Sequence, residues 1–194
     1  SVLIPVVIAI VWWSPLELVA LLALVTAGLA LIEFFAITER AGLHAYRLWT
    51  LTCTAAIFFA QWAAVQGRSW MLTRDLRLVR LAPLLAPSVE LVLLVFVIGL
   101  ALIVFSSKRP LKDALGDMGA SATGLLLIAL PLSSVVRLAA VAAVGPRLLL
   151  FTLILVWAGD TLAYFVGKYF GRWRMAQELS AKKTWEGAAA NLIA

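Results

Sequence analysis

Two short stretches of this chain carry residues that could do chemistry. In WAGDTLAYFVGK, Asp160, Tyr164, Gly167 and Lys168 follow Trp157 at i+3, i+7, i+10 and i+11. On an α-helix that spacing puts a carboxylate, a phenol and an ammonium on one stripe. In SAKKTWEG, residues 180–187, Lys182 and Lys183 offer ammonium donors, Ser180 and Thr184 offer hydroxyls, and Thr184 stands where it would cap a following helix. A helix start presents unpaired N–H groups, so lysines beside it make an anion site, and phosphate is the anion this set suits best. A structural reading is equally open from these residues alone. Lysines before a membrane span belong on the inner side, Thr184 is an ordinary cap, and Glu186 answers the helix dipole. Asp160 likewise reads as a site carboxylate or as a buried partner of a lysine or arginine.

The elements that must position these groups are membrane spans. The 194 residues are 64% hydrophobic and only 13% charged, with a mean hydropathy of +1.04, against about 45–50% apolar in soluble domains. Crossing a hydrocarbon core takes about 20 apolar residues in a helix. Runs of that kind cover Leu16 to Ile37, Leu48 to Val65, Ser88 to Phe105, Ala120 to Val136 and Leu148 to Val166. Two further runs, Ser1 to Trp13 and Gly187 to Ala194, are cut short by the chain ends, which reads as a piece truncated at both ends. The expected fold class is all-α: one polytopic transmembrane helical bundle over 1–194, with five complete spans and two truncated ones.

Charge orients the bundle. With these spans, Arg40, Arg47, Lys108, Arg109, Lys112, Lys168, Arg172, Arg174, Lys182 and Lys183 fall on one face. Arg68, Arg74, Arg77, Arg80, Arg137 and Arg147 fall on the other. That is ten against six, with every lysine in the first set, so the positive-inside rule makes the first face cytoplasmic and the loop 167–186 a cytoplasmic loop. The net charge of +6 sits in loops between spans, which favours anionic lipid head groups or an anionic substrate over nucleic acid. Residues 68–83 carry arginines at helical spacing and read as an interfacial helix. Trp12, Trp13, Trp49, Trp70, Trp173 and Trp185 lie near span ends, where an aromatic belt is expected. Glu33 is placed to pair with Arg40 or a neighbouring span, His44 reads as a solvated loop residue, and the single Cys53 as a buried thiol.

The stretch W-x-x-D-x-x-A-Y-x-x-G-x-x-x-G from Trp157 to Gly171, followed by S-A-K-K-T-W-E-G from Ser180, resembles the phosphatidate cytidylyltransferase family, the CDP-diacylglycerol synthases. Ala181 stands where that family has proline. The family's downstream segment, whose carboxylates are understood to hold a divalent metal, would lie beyond Ala194. The resemblance implies an integral-membrane enzyme that joins CTP to phosphatidic acid, giving CDP-diacylglycerol and pyrophosphate with Mg²⁺ or another divalent cation. Its site would face the cytoplasm from the cell's inner membrane, and it allows a homodimer. It assigns Lys183 and Asp160 to catalysis, Ser180, Lys182, Thr184 and Tyr164 to substrate binding, with packing an equal alternative for Tyr164, and Asp160 with Glu186 to the metal, Asp160 alternatively orienting a lysine and Glu186 alternatively steadying the loop. Two other readings stay open: a related cytidylyl- or phospho-transferase acting on an isoprenoid lipid, and a non-enzymatic transporter or scaffold.

Overall fold

The computed structural model describes residues 3–72, 87–107, 110–176 and 180–193. Helices α1 (Leu3–Trp13), α2 (Leu16–Arg40), α3 (Arg47–Leu72), α4 (Val89–Ser106) and α5 (Leu111–Gly124) come first. A π-helical turn (Leu125–Ala129), α6 (Leu130–Ala139), α7 (Gly145–Tyr169), a hairpin of β1 (Arg174–Ala176) and β2 (Ser180–Thr184), and α8 (Trp185–Ile193) complete the order. Five helical segments are long and apolar enough to cross a membrane: Leu16–Arg40, Arg47–Gln66, Val89–Ser106, Asp113–Ala139 and Gly145–Tyr169. This is a multi-pass membrane protein with the all-α bundle the hydropathy pattern predicts. The interfacial helix expected at 68–83 lies for the most part outside the described residues. The chain divides into two compact units, Ser1–Gly145 and Pro146–Ala194.

In the first unit, buried residues repeat about every four positions along each helix: Leu31 and Phe35 on α2, Cys53 and Ile57 on α3, Val92, Phe96 and Leu100 on α4, Leu125 and Ala129 on the π-turn. This periodicity lines up one face of each helix on a shared core. Opposite faces are apolar as well. Leu94, Val97, Ile98 and Leu102 on α4 are exposed, as are Leu29, Ile32 and Ile37 on α2. Helices apolar all round belong in hydrocarbon, which solvates the outer face as the core solvates the inner one.

Backbone chemistry sets the ends. Helix α2 stops where Gly42 takes φ +83°, with Gly42 N–H donating to the Glu39 carbonyl and Leu43 N–H to that of Thr38. Carbonyls of the last helical turn are thereby satisfied. Pro131 has no N–H for the carbonyl four residues back and its ring crowds that group, so the helix widens into the π-turn just before it.

Several local expectations need correction. The segment 106–119 is not a loop throughout: helix begins at Leu111 and brings buried Asp117 and Ser121 into the fourth span. Asp117 Oδ1 accepts the N–H of His44 and Ser121 Oγ that of Tyr46 at 2.7 Å, so this early start holds the α2–α3 connection. The ion pair at this end is Arg47 with Glu39, and Glu33 is exposed on α2 with no ion-pair partner among the described residues. Trp49 is a packing residue. Its Nε1 donates to the Phe96 carbonyl at 3.1 Å and its ring lies over Gly99, where an added Cβ would come within 2.1 Å of Trp49 Cζ2. Gly99→Ala must therefore displace the indole, and we expect it to lower stability by about 1–3 kcal/mol, the usual cost of overpacking. Thermal denaturation in detergent, with Gly28→Ala as a control site that has nothing within 4 Å, measures it.

Candidate active site

The second unit builds a cleft from α7, the hairpin and α8. Its small residues let these elements meet. Gly159, Ala163, Gly167 and Gly171 recur every four residues along and just past α7, and α8 packs on that stripe. A Cβ at Gly187 would lie 2.8 Å from the Ala163 carbonyl oxygen and 3.4 Å from Gly167 Cα, so two backbones touch there. At Gly171 it would meet the Gly167 carbonyl oxygen at 2.2 Å and Thr184 Cγ2 at 2.6 Å. Thr184 thus fills a notch between glycines, and its Oγ1 accepts the Gly187 N–H at 3.2 Å as the helix cap its position predicts.

The described residues of 167–186 are not a loop throughout. Helix α7 runs to Tyr169, then β1 and β2 pair antiparallel, with Arg174 opposite Thr184 and Ala176 opposite Ser180. Between these rows one residue of β1, Met175, stands against three of β2, 181–183, so the ladder is bulged or irregular over that stretch. Bulges of this kind re-aim side chains and recur beside active sites. Trp185 N–H closes the hairpin onto the Trp173 carbonyl at 2.9 Å. Glu186 ties the base: Oε1 accepts from Arg172 N–H at 3.0 Å and from Trp173 N–H at 3.1 Å. These bonds, led by the carboxylate's own backbone N–H and helped by the charge of Arg172, hold Glu186 below the ordinary carboxylate range.

A group whose folded-state pKa is depressed stabilises the fold above its unfolded value, and that contribution fades as pH falls through the folded one. The hairpin base should accordingly loosen as pH drops below the ordinary carboxylate range, about 4.3 for glutamate. Glu186→Ala should show the same loosening at neutral pH. Hydrogen exchange at Arg172 and Trp173, normalised for intrinsic rate, should accelerate severalfold once these bonds to a charged acceptor are gone.

The cleft has a volume of 1420 Å³. Asp160, Tyr164, Gly167 and Lys168 line it from α7, Lys183 and Thr184 from β2, and Arg172 and Arg174 from the hairpin base. Trp157, first residue of the predicted stripe, lies instead in a small surface hollow with Ile154, Ala158, Thr161 and Leu162. Lys168 Nζ sits 5.7 Å from the Tyr164 ring centre and 5.5 Å from that of Tyr169, a cation–π clamp on the ammonium. The Lys183 side chain is exposed and forms no ion pair among the described residues. Ser180 and Lys182 stand on β2 by backbone position, and their side chains lie outside the described residues.

Among the described residues, four cationic side chains and one carboxylate thus line this cleft. Arg172 and Arg174 count toward topology in the sequence, and only the hairpin, which sets Arg174 across from Thr184, carries them into the cleft. Asn191, also missed, donates Nδ2–H to Asp160 Oδ1 at 3.4 Å. A magnesium ion takes about six oxygens, usually one or two carboxylates with phosphate and water. Among the described residues no cluster of three or more His, Cys, Asp or Glu side chains occurs, and Glu186 is turned to backbone N–H groups. Asp160 is the one carboxylate these residues offer such an ion; the cleft fits it as a partial site that phosphate oxygens would complete.

The model of the cytidylyltransferase family matches residues 1–194. A phosphatidate cytidylyltransferase of Haemophilus influenzae is 50% identical over 49 residues, which cover 25% of this chain and 17% of that protein. One from Pseudomonas aeruginosa is 42% identical over 45 residues, 23% of this chain and 17% of the relative. The matched stretch thus spans about a sixth of each relative's length. No solved structure matches. With the family match running from end to end, this chain belongs to the cytidylyltransferase family.

Proposed function

We propose that the protein transfers a cytidylyl group from CTP to phosphatidic acid, forming CDP-diacylglycerol and releasing pyrophosphate. The observation that carries the reading is the convergence of Lys168, Arg172, Arg174 and Lys183 with a single carboxylate, Asp160, in one cleft of a membrane protein. A triphosphate and a phosphomonoester bring several negative charges to one place, and a cleft lined by cations suits them. A volume of 1420 Å³ exceeds the roughly 300–1,000 Å³ of single small-ligand pockets and leaves room for two head groups.

In the reaction, an oxygen of the phosphatidate phosphate forms a bond to the α-phosphorus of CTP. The bond from that phosphorus to the bridging oxygen toward the β-phosphate breaks, and the electron pair leaves with pyrophosphate. Little covalent work falls to the protein, so positioning and charge neutralisation dominate. Lys183, with no ion-pair partner among the described residues, binds phosphate oxygens, with Lys182 beside it in sequence. Ser180 and Thr184 donate hydroxyl hydrogen bonds, since the cap uses Thr184 Oγ1 as an acceptor and leaves its proton available. Asp160 holds a divalent cation or orients a lysine, and Tyr164 lines the lipid or nucleotide side. A divalent ion bound through Asp160 and substrate phosphates would supply further neutralisation of the transferring group. Glu186 fixes the hairpin base. The lysine asymmetry supports a cytoplasmic site on the inner cell membrane.

Product formation by the full-length protein, from CTP with either phosphatidate or a polyprenyl phosphate, tests the reading. Turnover of phosphatidate is the expected result. Turnover of the polyprenyl phosphate alone would move the assignment to an isoprenoid lipid.

A further inference from the structure

Asp160 is an exposed carboxylate on a helix, free in principle to sample several rotamers. Its neighbour Gly159 is buried, and Asn191 covers it. A Cβ built at Gly159 would meet Asn191 Oδ1 at 3.0 Å, Cγ at 3.2 Å and Nδ2 at 3.3 Å, so the whole amide lies against the α7 backbone. From there Nδ2 donates to Asp160 Oδ1 at 3.4 Å, while Oδ2 has no partner among the described residues. One turn earlier on α8, Gly187 is in backbone contact with α7. The reach of Asn191 is therefore set by two packed helices rather than by the hairpin.

We propose that Asn191 is a positioning residue, which holds one oxygen of Asp160 and leaves the other turned to the cleft. Gly159 is part of the device, because a Cβ there would press on the amide and shift it by a few tenths of an ångström. The inference rests on the cytidylyl-transfer reading and adds to it a residue acting through Asp160. A plain packing role for Asn191 would give a different pattern of coupling, and that difference is measurable.

The test uses full-length protein in liposomes, radiolabelled CTP and phosphatidate, and the variants Asn191→Leu, Asp160→Asn, Gly159→Ala and the two pairs with Asp160→Asn. Asn191→Leu keeps volume and removes the donor. It should lower kcat about tenfold, the low end for groups that orient a functional side chain, with KM for CTP within about twofold. Gly159→Ala, which keeps the amide but displaces it, should fall similarly and stands in if Asn191→Leu does not insert. In the Asp160→Asn background each substitution should cost less than about twofold, because non-additivity marks residues that act as a unit. Wild-type rates for both single variants would overturn the proposal. So would an undiminished loss in the Asp160→Asn background, which is the mark of packing alone. A wild-type protein inert toward both substrates would overturn the cytidylyl-transfer reading and this inference with it.

Discussion

Lys183→Ala should reduce formation of CDP-lipid by about 10²–10³-fold, the usual loss when one preorganised donor to a developing charge is removed. Three observations set that size. Lys183 lines the cleft, it sits where β2 bulges, and it has no ion pair among the described residues, so its charge is available to a ligand. Lysine acts as a point charge here, so Lys183→Arg should keep part of the activity, with a fork that fits the bulge less well. Lys168→Ala should cost less, because Lys168 is already engaged by the rings of Tyr164 and Tyr169. Initial rates at saturating CTP separate the two. A Lys183→Ala enzyme within about threefold of wild type would remove this residue from the site, since a donor to developing charge is worth far more.

The second large effect is expected at a position with no reactive group. Gly187→Ala places a methyl 2.8 Å from the Ala163 carbonyl oxygen and 3.4 Å from Gly167 Cα, and neither atom belongs to a flexible side chain. Helix α8 must lift from α7. With it move the Thr184 cap, which depends on Gly187 N–H, and Glu186, which anchors Arg172 and Trp173. Overpacking of this kind costs about 1–3 kcal/mol, and the cleft bears it because its walls are the elements that separate. We expect about 10²-fold loss of activity or more, since misplacement of reacting groups by about 1 Å is enough for that. Membrane insertion should be normal, because all five spans lie before Gly187. Unchanged turnover would show that α8 does not need this approach.

Much of this was legible from residue order because it depends on local period. The five spans follow from hydropathy, and Asp160, Tyr164, Gly167 and Lys168 share the cleft as helical spacing requires. Trp157 stands one turn before Asp160, and the stripe drifts off the cleft by that point. Helix α5 begins nine residues before the expected span because Asp117 and Ser121 find N–H partners on another segment, a compensation hydropathy does not register. The hairpin was hidden for a similar reason: short strands of charged residues have no apolar alternation, and their pairing is held by a carboxylate and a backbone carbonyl from outside the ladder. Arg172 and Arg174 enter the cleft through those non-local contacts, and Asn191 through the approach of α8 to α7. The glycines were half legible. Gly167 belongs to the stripe that helical spacing predicts, whereas Gly159 and Gly187 acquire meaning from the atoms they face.

The central claim is that this cleft joins CTP to a membrane phospholipid. It is tested most directly by purifying the full-length protein into liposomes containing phosphatidate, adding CTP and Mg²⁺, and quantifying pyrophosphate together with CDP-diacylglycerol. The account predicts equal molar amounts of the two products, with neither formed when CTP or phosphatidate is left out. Folded, inserted protein that yields no CDP-diacylglycerol under these conditions would contradict it.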